Sequence, residues 1–490
     1  MEHKNLNVVL GPPGTGKTTT LLNLVDNTLK KGIKPNEIGY LAFTRKAALE
    51  AIDRAKIKFG YTEKDLEYFR TIHSLCFRIL HLSKDDVMKT SHYEELAKIL
   101  GLEINGYISL DEGQIYGMAL GDRLFFQENL SRMTNKPLKE VFNNCNDDDV
   151  QWLELERLSR ALKKFKVKRH LIDFTDMLTM CRENQNFPKL KALFIDEAQD
   201  LSSLQWDIIS ILAKNAKTVY IAGDDDQAIY RWAGADVDKF ISLAGKCTVL
   251  TKSYRVPKSI HTIAIKLAAK IKNRRLKTWQ SKLDDGKVNW YLNAEDVDLD
   301  KGQWYLLARN GYMLRELENI CIRNGYPYSI NNRAPHKSEA VHAILSWQDL
   351  CKGSSITGSN VKLIYKYMSE RCPRGIDPEK YFTLHELGFK NVSWHYSLDK
   401  ISPRYTEYYL FLLKRGEDLT AEPRIRISTI HGVKGGESDN VLLLTDLAPR
   451  TYREMNNVPD DELRVFYVAI TRAKKSLHVV QPKTNMYFSL

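Results

Sequence analysis

The sequence predicts an α/β fold built on parallel sheets flanked by helices. Three observations carry that reading. Short apolar runs alternate with helical stretches through residues 1–82 and about 160–252, the pattern of a doubly wound domain. The run GPPGTGKT begins at Gly11 directly after apolar Asn7 to Leu10. KALFIDEAQD, around Asp196, reads as a short apolar strand that ends in acids.

Phosphate chemistry accounts for the first motif. Glycines after a buried strand let the backbone turn tightly around an anion, and a helix starting near Lys17 aims its amides and its positive end at the same point. Gly11, Pro12, Pro13, Gly14, Thr15, Gly16, Lys17, Thr18 and Thr19 then form a cradle for a nucleoside triphosphate. Lys17 is expected to reach the β/γ-phosphates, and the Thr18 hydroxyl to hold Mg²⁺. A cradle alone neither completes a metal site nor activates water. Asp196 is expected to bind the metal through its water shell, and Glu197 to orient or deprotonate the attacking water. An Asp-Glu pair at a strand end is common on solvated surfaces. Together with Lys17 and Thr18 it reads as a hydrolytic set for a nucleoside triphosphate.

With 490 residues, the chain has room for several domains, roughly three or four by length. Charged residues make up 27% and hydrophobic ones 43%, and no apolar run is long enough for a membrane span. The first strand begins so early that no signal peptide is expected, which points to the cytoplasm. Seven cysteines, at 76, 145, 181, 247, 321, 351 and 372, lack CxxC spacing; reduced, structural thiols are expected rather than zinc or iron-sulfur ligands. The net charge of +12 suggests a polyanionic partner. Basic runs at Lys163 to Arg169 and Lys266 to Lys277 carry apolar residues at helical spacing, so solvated faces of core-packed helices are the commoner explanation. In DFTDML, Asp173 and Asp176 could suggest a second metal site, but helix capping is favoured.

Further segments follow in order: AFTRKAALE from Ala42, TIHSLC from Thr71, GDDDQAIYRWAGAD from Gly223, LTKSYRVP from Leu250, LLARN from Leu306, ISTIHGVKGGE from Ile427 and ELRVFYVAITRAKK from Glu462. With the cradle, DFTDML and IDEAQD, they extend over nearly the whole chain in an order that resembles the UvrD/Rep-like superfamily 1A DNA helicases. The resemblance implies two RecA-like P-loop domains, each with a mainly helical insertion, and ATP between them. It implies that Arg255 and Arg472 are arginine fingers, that Gln227 senses the γ-phosphate, that Tyr254 stacks on adenine and that Glu437 bonds the ribose. Single-stranded DNA is expected on the aromatics Phe43, Tyr230 and Trp232 and on the polar groups of Thr44, His73 and His431. Phe43 and Tyr230, taken alone, would read as core packing; Trp232, in a polar Gly-bounded turn, reads as functional.

The implied boundaries are 1–82 and 160–252 for the first RecA-like domain 1A, 83–159 for insertion 1B, 253–335 and 421–490 for the second RecA-like domain 2A, and 336–420 for a short insertion 2B. Three departures from the family pattern stand out. No glutamine precedes Gly11, Ala233 replaces an arginine after the tryptophan, and GVKGGES lacks the serine, leucine and phenylalanine usual around Glu437. The expected protein is a monomeric, Mg²⁺- and ATP-dependent translocase and helicase on single-stranded DNA and on single-strand/duplex junctions, with 3′→5′ polarity by resemblance. Its expected setting is DNA replication, repair or recombination. The alternatives are a translocase that strips bound proteins with little unwinding, and an ATP-gated DNA-binding module.

Overall fold

The computed structural model describes residues 4–109, 114–117, 119–145, 147–331 and 333–490. Two compact units emerge. The first comprises residues 1–255 and 268–282, the second residues 256–267 and 283–490.

The first unit holds strands β1 (Leu6–Leu10), β2 (Ile38–Ala42), β3 (Phe69–Thr71), a hairpin of β4 (Tyr107–Ser109) and β5 (Gln114–Tyr116), then β6 (Ala192–Ile195), β7 (Thr218–Gly223) and β8 (Lys246–Val249). Without the hairpin these form a six-stranded sheet of order β3-β2-β6-β7-β1-β8, with every pair parallel. β2 and β6 are buried along their whole length, as strands covered by helices on both faces must be. Val8, Leu193 and Ile221 enter a core on one face, while Val9, Tyr40 and Phe194 enter the core on the other. Parallel pairing puts all strand C-termini on one edge. That edge brings Gly11, Phe43, Ile72, Asp196, Asp224 and Leu250 together just past the strand ends, where ligands of open α/β sheets bind.

The insertion packs differently from the sheet. Helices Thr90–Leu100, Leu120–Thr134 and Trp152–Arg169 enclose their own cluster around Tyr93, Leu96, Leu124, Phe125, Leu155, Leu158 and Leu162. Helix Trp152–Arg169 runs through the expected boundary at 159/160, because Leu155, Leu158, Leu162 and Phe165 keep one buried stripe across it. Both basic runs need partial correction. Lys163, Lys164, Lys168 and Arg169 are solvated as expected, but Lys166 is buried against Asp173 and Asp176 at 2.7 and 2.6 Å. In the second run the helix ends at Ala269, and Lys277 lies fully buried in the first unit rather than on a solvated face. The segment 268–282 thus belongs with the first unit, although it lies beyond the expected boundary at 252/253.

The second unit carries β9 (Lys287–Tyr291), β10 (Trp304–Ala308), β11 (Tyr328–Ile330), an antiparallel pair of β12 (Ile356–Thr357) and β13 (Tyr381–Phe382), β14 (Ile425–Thr429), β15 (Ser438–Leu444) and β16 (Ala473–Val480). Six of them form a second parallel sheet of order β11-β14-β10-β15-β16-β9. Its insertion is fused to the sheet: Val341, Ile344, Trp347, Ile364, Tyr408 and Leu412 share one core with Leu306, Ile425 and Leu442. No helix of the described residues is long and apolar enough to cross a membrane.

Candidate functional site

The loop after β1 is shaped by its glycines. Gly14 and Gly16 have φ of 71° and 81°, a region that L side chains rarely adopt. A Cβ on Gly11 would stand 1.9 Å from Cγ of Lys17, so a side chain there would collide with the lysine lying over the loop. Gly16 caps helix Lys17–Lys30, which buries Leu21, Leu22 and Val25 against the sheet. The Lys17 ammonium is thereby fixed. It donates to Gly11 O at 3.0 Å and lies 3.5 Å from Glu197 Oε1.

The strand after it brings the acids. Thr18 Oγ1 donates to Asp196 Oδ2 at 2.7 Å, and Tyr40 OH donates to the same oxygen at 2.9 Å. Burial raises the Asp196 pKa, the neighbouring Glu197 charge adds to the rise, and the bonds from Thr18 and Tyr40 together with the Lys17 charge oppose it. Glu197 sits at φ 53°, a left-handed conformation costly for a glutamate and characteristic of functional turns. A hydrogen-bond chain continues from it. Gln199 Nε2 donates to Glu197 Oε2 at 2.6 Å, Gln199 Oε1 accepts from Asp224 N at 3.0 Å, and Gln227 Nε2 donates to Asp224 Oδ2 at 2.7 Å.

The segment after β8 closes on the same loop. Ser253 Oγ donates to Pro13 O at 2.7 Å, and Tyr254 N donates to Gly14 O at 2.8 Å. Tyr254 is 71% exposed, with the Lys252 ammonium over its ring at 5.6 Å. Arg255 lies against the loop, since a Cβ on Gly14 would meet Arg255 Cβ at 2.3 Å. The structure therefore brings Gly11 to Thr19, Asp196, Glu197, Gln227, Tyr254 and Arg255 onto one edge of the first unit.

A second surface of that unit carries aromatics. Phe43 stacks on Tyr230 with centroids 5.8 Å apart, and Trp232, 44% exposed, stacks on Phe126 of the insertion at 5.9 Å. Phe43, Tyr230 and buried Ala233 share the lining of a small pocket with Met133, Asp200 and Gln205. Alanine at 233 is accommodated by this packing, while Arg231 points outward and pairs with Asp238 at 3.4 Å. Thr44 caps helix Arg45–Phe59 by accepting from Ala47 N at 3.2 Å. His73 is not at the surface: it is buried edge-on to Phe174, and burial lowers its pKa to about 4. Asp173 is the cap of helix Phe174–Asn184. Burial pushes its pKa up, but Arg132 and Lys166 outweigh that and hold it below the usual range, so the capping reading stands over a metal site.

In the second unit, Glu437 and Arg472 immediately precede β15 and β16, while His431 follows β14. They therefore occupy opposite edges of a parallel sheet. Arg472 is buried, donating to Val468 O at 3.0 Å, Gly436 O at 3.1 Å and Thr471 Oγ1 at 3.4 Å. Glu437 is exposed, 3.7 Å from Lys474. Two residues beside the site escaped sequence reasoning. Lys277 contacts Asp224, Asp225 and Asp226, and Arg274 forms a two-point pair with Asp226. The three consecutive acids were the available signal, because such a run inside an apolar stretch requires buried cations.

A phosphate cradle, a threonine-carboxylate pair and a following acid at the C-terminal edge of a parallel sheet define the first unit as a P-loop nucleotide-binding fold. The comparisons narrow this further. The family described as UvrD/REP helicase N-terminal domain matches residues 1–248, and the one described as UvrD-like helicase C-terminal domain matches residues 408–484. The chain belongs to the UvrD/REP helicase family. It is similar to the ATP-dependent DNA helicase PcrA of Staphylococcus epidermidis, 22% identical over 78% of this chain and 56% of that one. It is also similar to the ATP-dependent DNA helicase Rep of Buchnera aphidicola, 24% identical over 66% and 52%. The chain spans about half the length of the curated relatives it matches.

Proposed function

We propose that this protein is an ATP-driven translocase on single-stranded DNA that unwinds duplexes with 3′→5′ polarity, in replication, repair or recombination. The observation that carries the reading is the arrangement around Lys17, whose ammonium is held between Gly11 O and Glu197 beside the Thr18-Asp196 pair. These residues fit an ATP·Mg²⁺ complex. The loop leaves no room for a Cβ at Gly11, and a hydroxyl with a carboxylate is the oxygen donor set that Mg²⁺ takes when phosphates and water supply the rest. Thr18 and Asp196 would hold the metal, which neutralises charge on the phosphates. Lys17 binds the β/γ-phosphates. Glu197 accepts the proton of the attacking water, Gln227 senses the γ-phosphate, Tyr254 stacks on adenine and Glu437 bonds the ribose. Arg255 and Arg472 offset charge that builds during transfer, a role that requires Arg472 to exchange its present carbonyl partners for phosphate oxygens. Phe43, Tyr230 and Trp232 supply flat surfaces for bases, with Thr44 and His431 as polar contacts.

The test is steady-state ATP hydrolysis alone, with single-stranded DNA and with single-stranded RNA, followed by strand displacement on substrates of either overhang. Stimulation by DNA that Glu197→Gln loses is the expected result. Turnover that ignores DNA would remove the motor reading and leave an ATP-gated binding module.

A further inference from the structure

Beside the nucleotide site lies a buried ionic cluster that the proposed chemistry does not use. The Lys277 ammonium is 3.1 Å from Asp224 Oδ1, 2.7 Å from Asp225 Oδ1 and 2.9 Å from Asp226 Oδ2, and all four side chains are inaccessible to solvent. Arg274 donates from Nε and Nη2 to the two oxygens of Asp226 at 2.7 and 2.5 Å. Three adjacent carboxylates cannot remain ionised in a protein interior without cations. The turn between β7 and Gln227 is therefore wound around one lysine. A cluster of this kind is expensive to desolvate, and apolar packing would be cheaper, so its position is informative.

Asp224 is the point of connection. Its Oδ2 accepts from Gln227, and its N–H donates to Gln199, which in turn donates to Glu197. The segment bearing Lys277 also reaches the other flank of the site. Arg275 N donates to Asp225 Oδ2 at 2.7 Å, Gln280 N donates to Thr251 O at 2.7 Å, and Ser253 N donates to Gln280 O at 2.9 Å. Ser253 and Tyr254 are the residues bonded to Pro13 and Gly14. One segment, Asn273 to Gln280, thus borders both the Gln227 turn and the segment that closes on the phosphate loop.

We propose that Lys277, assisted by Arg274, is a positioning residue for ATP hydrolysis, holding the Asp224–Asp226 turn so that Gln227 and Glu197 keep their places. The inference rests on the ATPase reading above. It gives Lys277 no contact with nucleotide, so its loss acts on turnover more than on ATP binding.

The experiment combines kinetics with hydrogen exchange on the full chain. Lys277→Met should lower kcat by at least about tenfold while KM for ATP stays within about twofold, and Lys277→Arg should recover part of the loss. Amides of residues 224–234 should exchange faster in Lys277→Met, with those of β1 and β2 unchanged. Should the single variant fail to fold, Lys277→Met with Asp225→Asn removes one acid along with the cation, and it should fold yet remain slow. Wild-type kcat in either folded variant, or unchanged exchange in 224–234, would overturn the proposal. If the wild type shows no ATPase, the enzymatic reading fails by itself, and the exchange comparison still decides whether Lys277 holds the turn.

Discussion

Lys17 and Glu197 lie 3.5 Å apart, but the proposed function gives them different tasks, phosphate binding to one and proton acceptance to the other. Glu197→Gln keeps the shape of the side chain and removes its basicity; turnover should fall by about 100-fold or more while ATP still binds. Lys17→Ala should abolish hydrolysis and leave binding of single-stranded DNA, read by fluorescence anisotropy, largely intact. Loss of both together would mean that the two surfaces are not separate. His73 gives a prediction of another kind. Its imidazole has an ordinary value of 6.5 and is lowered to about 4 by burial. Between those values the unfolded chain binds the proton that the folded one refuses. Stability from this group is thus complete above pH 6.5 and is lost as pH falls toward 4, by up to about 3 kcal/mol. His73→Leu should flatten the drop in melting temperature between neutral pH and about pH 5; an unchanged drop would assign acid sensitivity to other groups. These residues were unequally legible. Lys17, Thr18 and Asp196 stand in contiguous motifs whose spacing is their geometry. His73 stands in a motif too, but whether a helix turns it inward depends on Phe174, a hundred residues away.

At the scale of elements, strand ends do most of the positioning, and the alternation of apolar strands with helices was enough to foresee it. Helix Trp152–Arg169 and the segment 268–282 were harder to place, because a buried ion pair adds to the apolar packing of each and carries no periodic signal of its own. Lys166 reaches Asp173 around the end of its own helix, and Lys277 reaches Asp224 from a distant part of the chain, so neither pair shows as a charge pattern within one helix. Turns are strict where they meet a neighbour. Gly14 combines φ 71° with a Cβ position 2.3 Å from Arg255 Cβ, so Gly14→Ala must displace either the loop or Arg255. It should raise KM for ATP by about tenfold or more, at a backbone cost of about 1 kcal/mol before any clash is counted. Retained ATP affinity would show that the Arg255 segment moves freely. The turn at Arg231–Ala233 presents Trp232 against Phe126. Trp232→Ala should leave basal ATPase in place and remove its stimulation by single-stranded DNA; full stimulation would deny the ring a part in coupling.

For the whole molecule, charge and surface chemistry make separable demands. A net charge of +12 attracts any polyanion, and binding driven by phosphates alone weakens steeply as salt displaces the counterion advantage. Stacking on Phe43, Tyr230 and Trp232 is insensitive to salt by comparison. If both operate, affinity for single-stranded DNA should fall log-linearly with salt, with a slope of about −0.7 for each phosphate contacted. Trp232→Ala should then shift the line downward without changing its slope, because the substitution removes no charge. A change of slope on losing the tryptophan would mean that the ring orders basic side chains rather than holding a base, and the aromatic surface would have to be reassigned to packing. A binding curve indifferent to salt would count against the nucleic-acid face altogether.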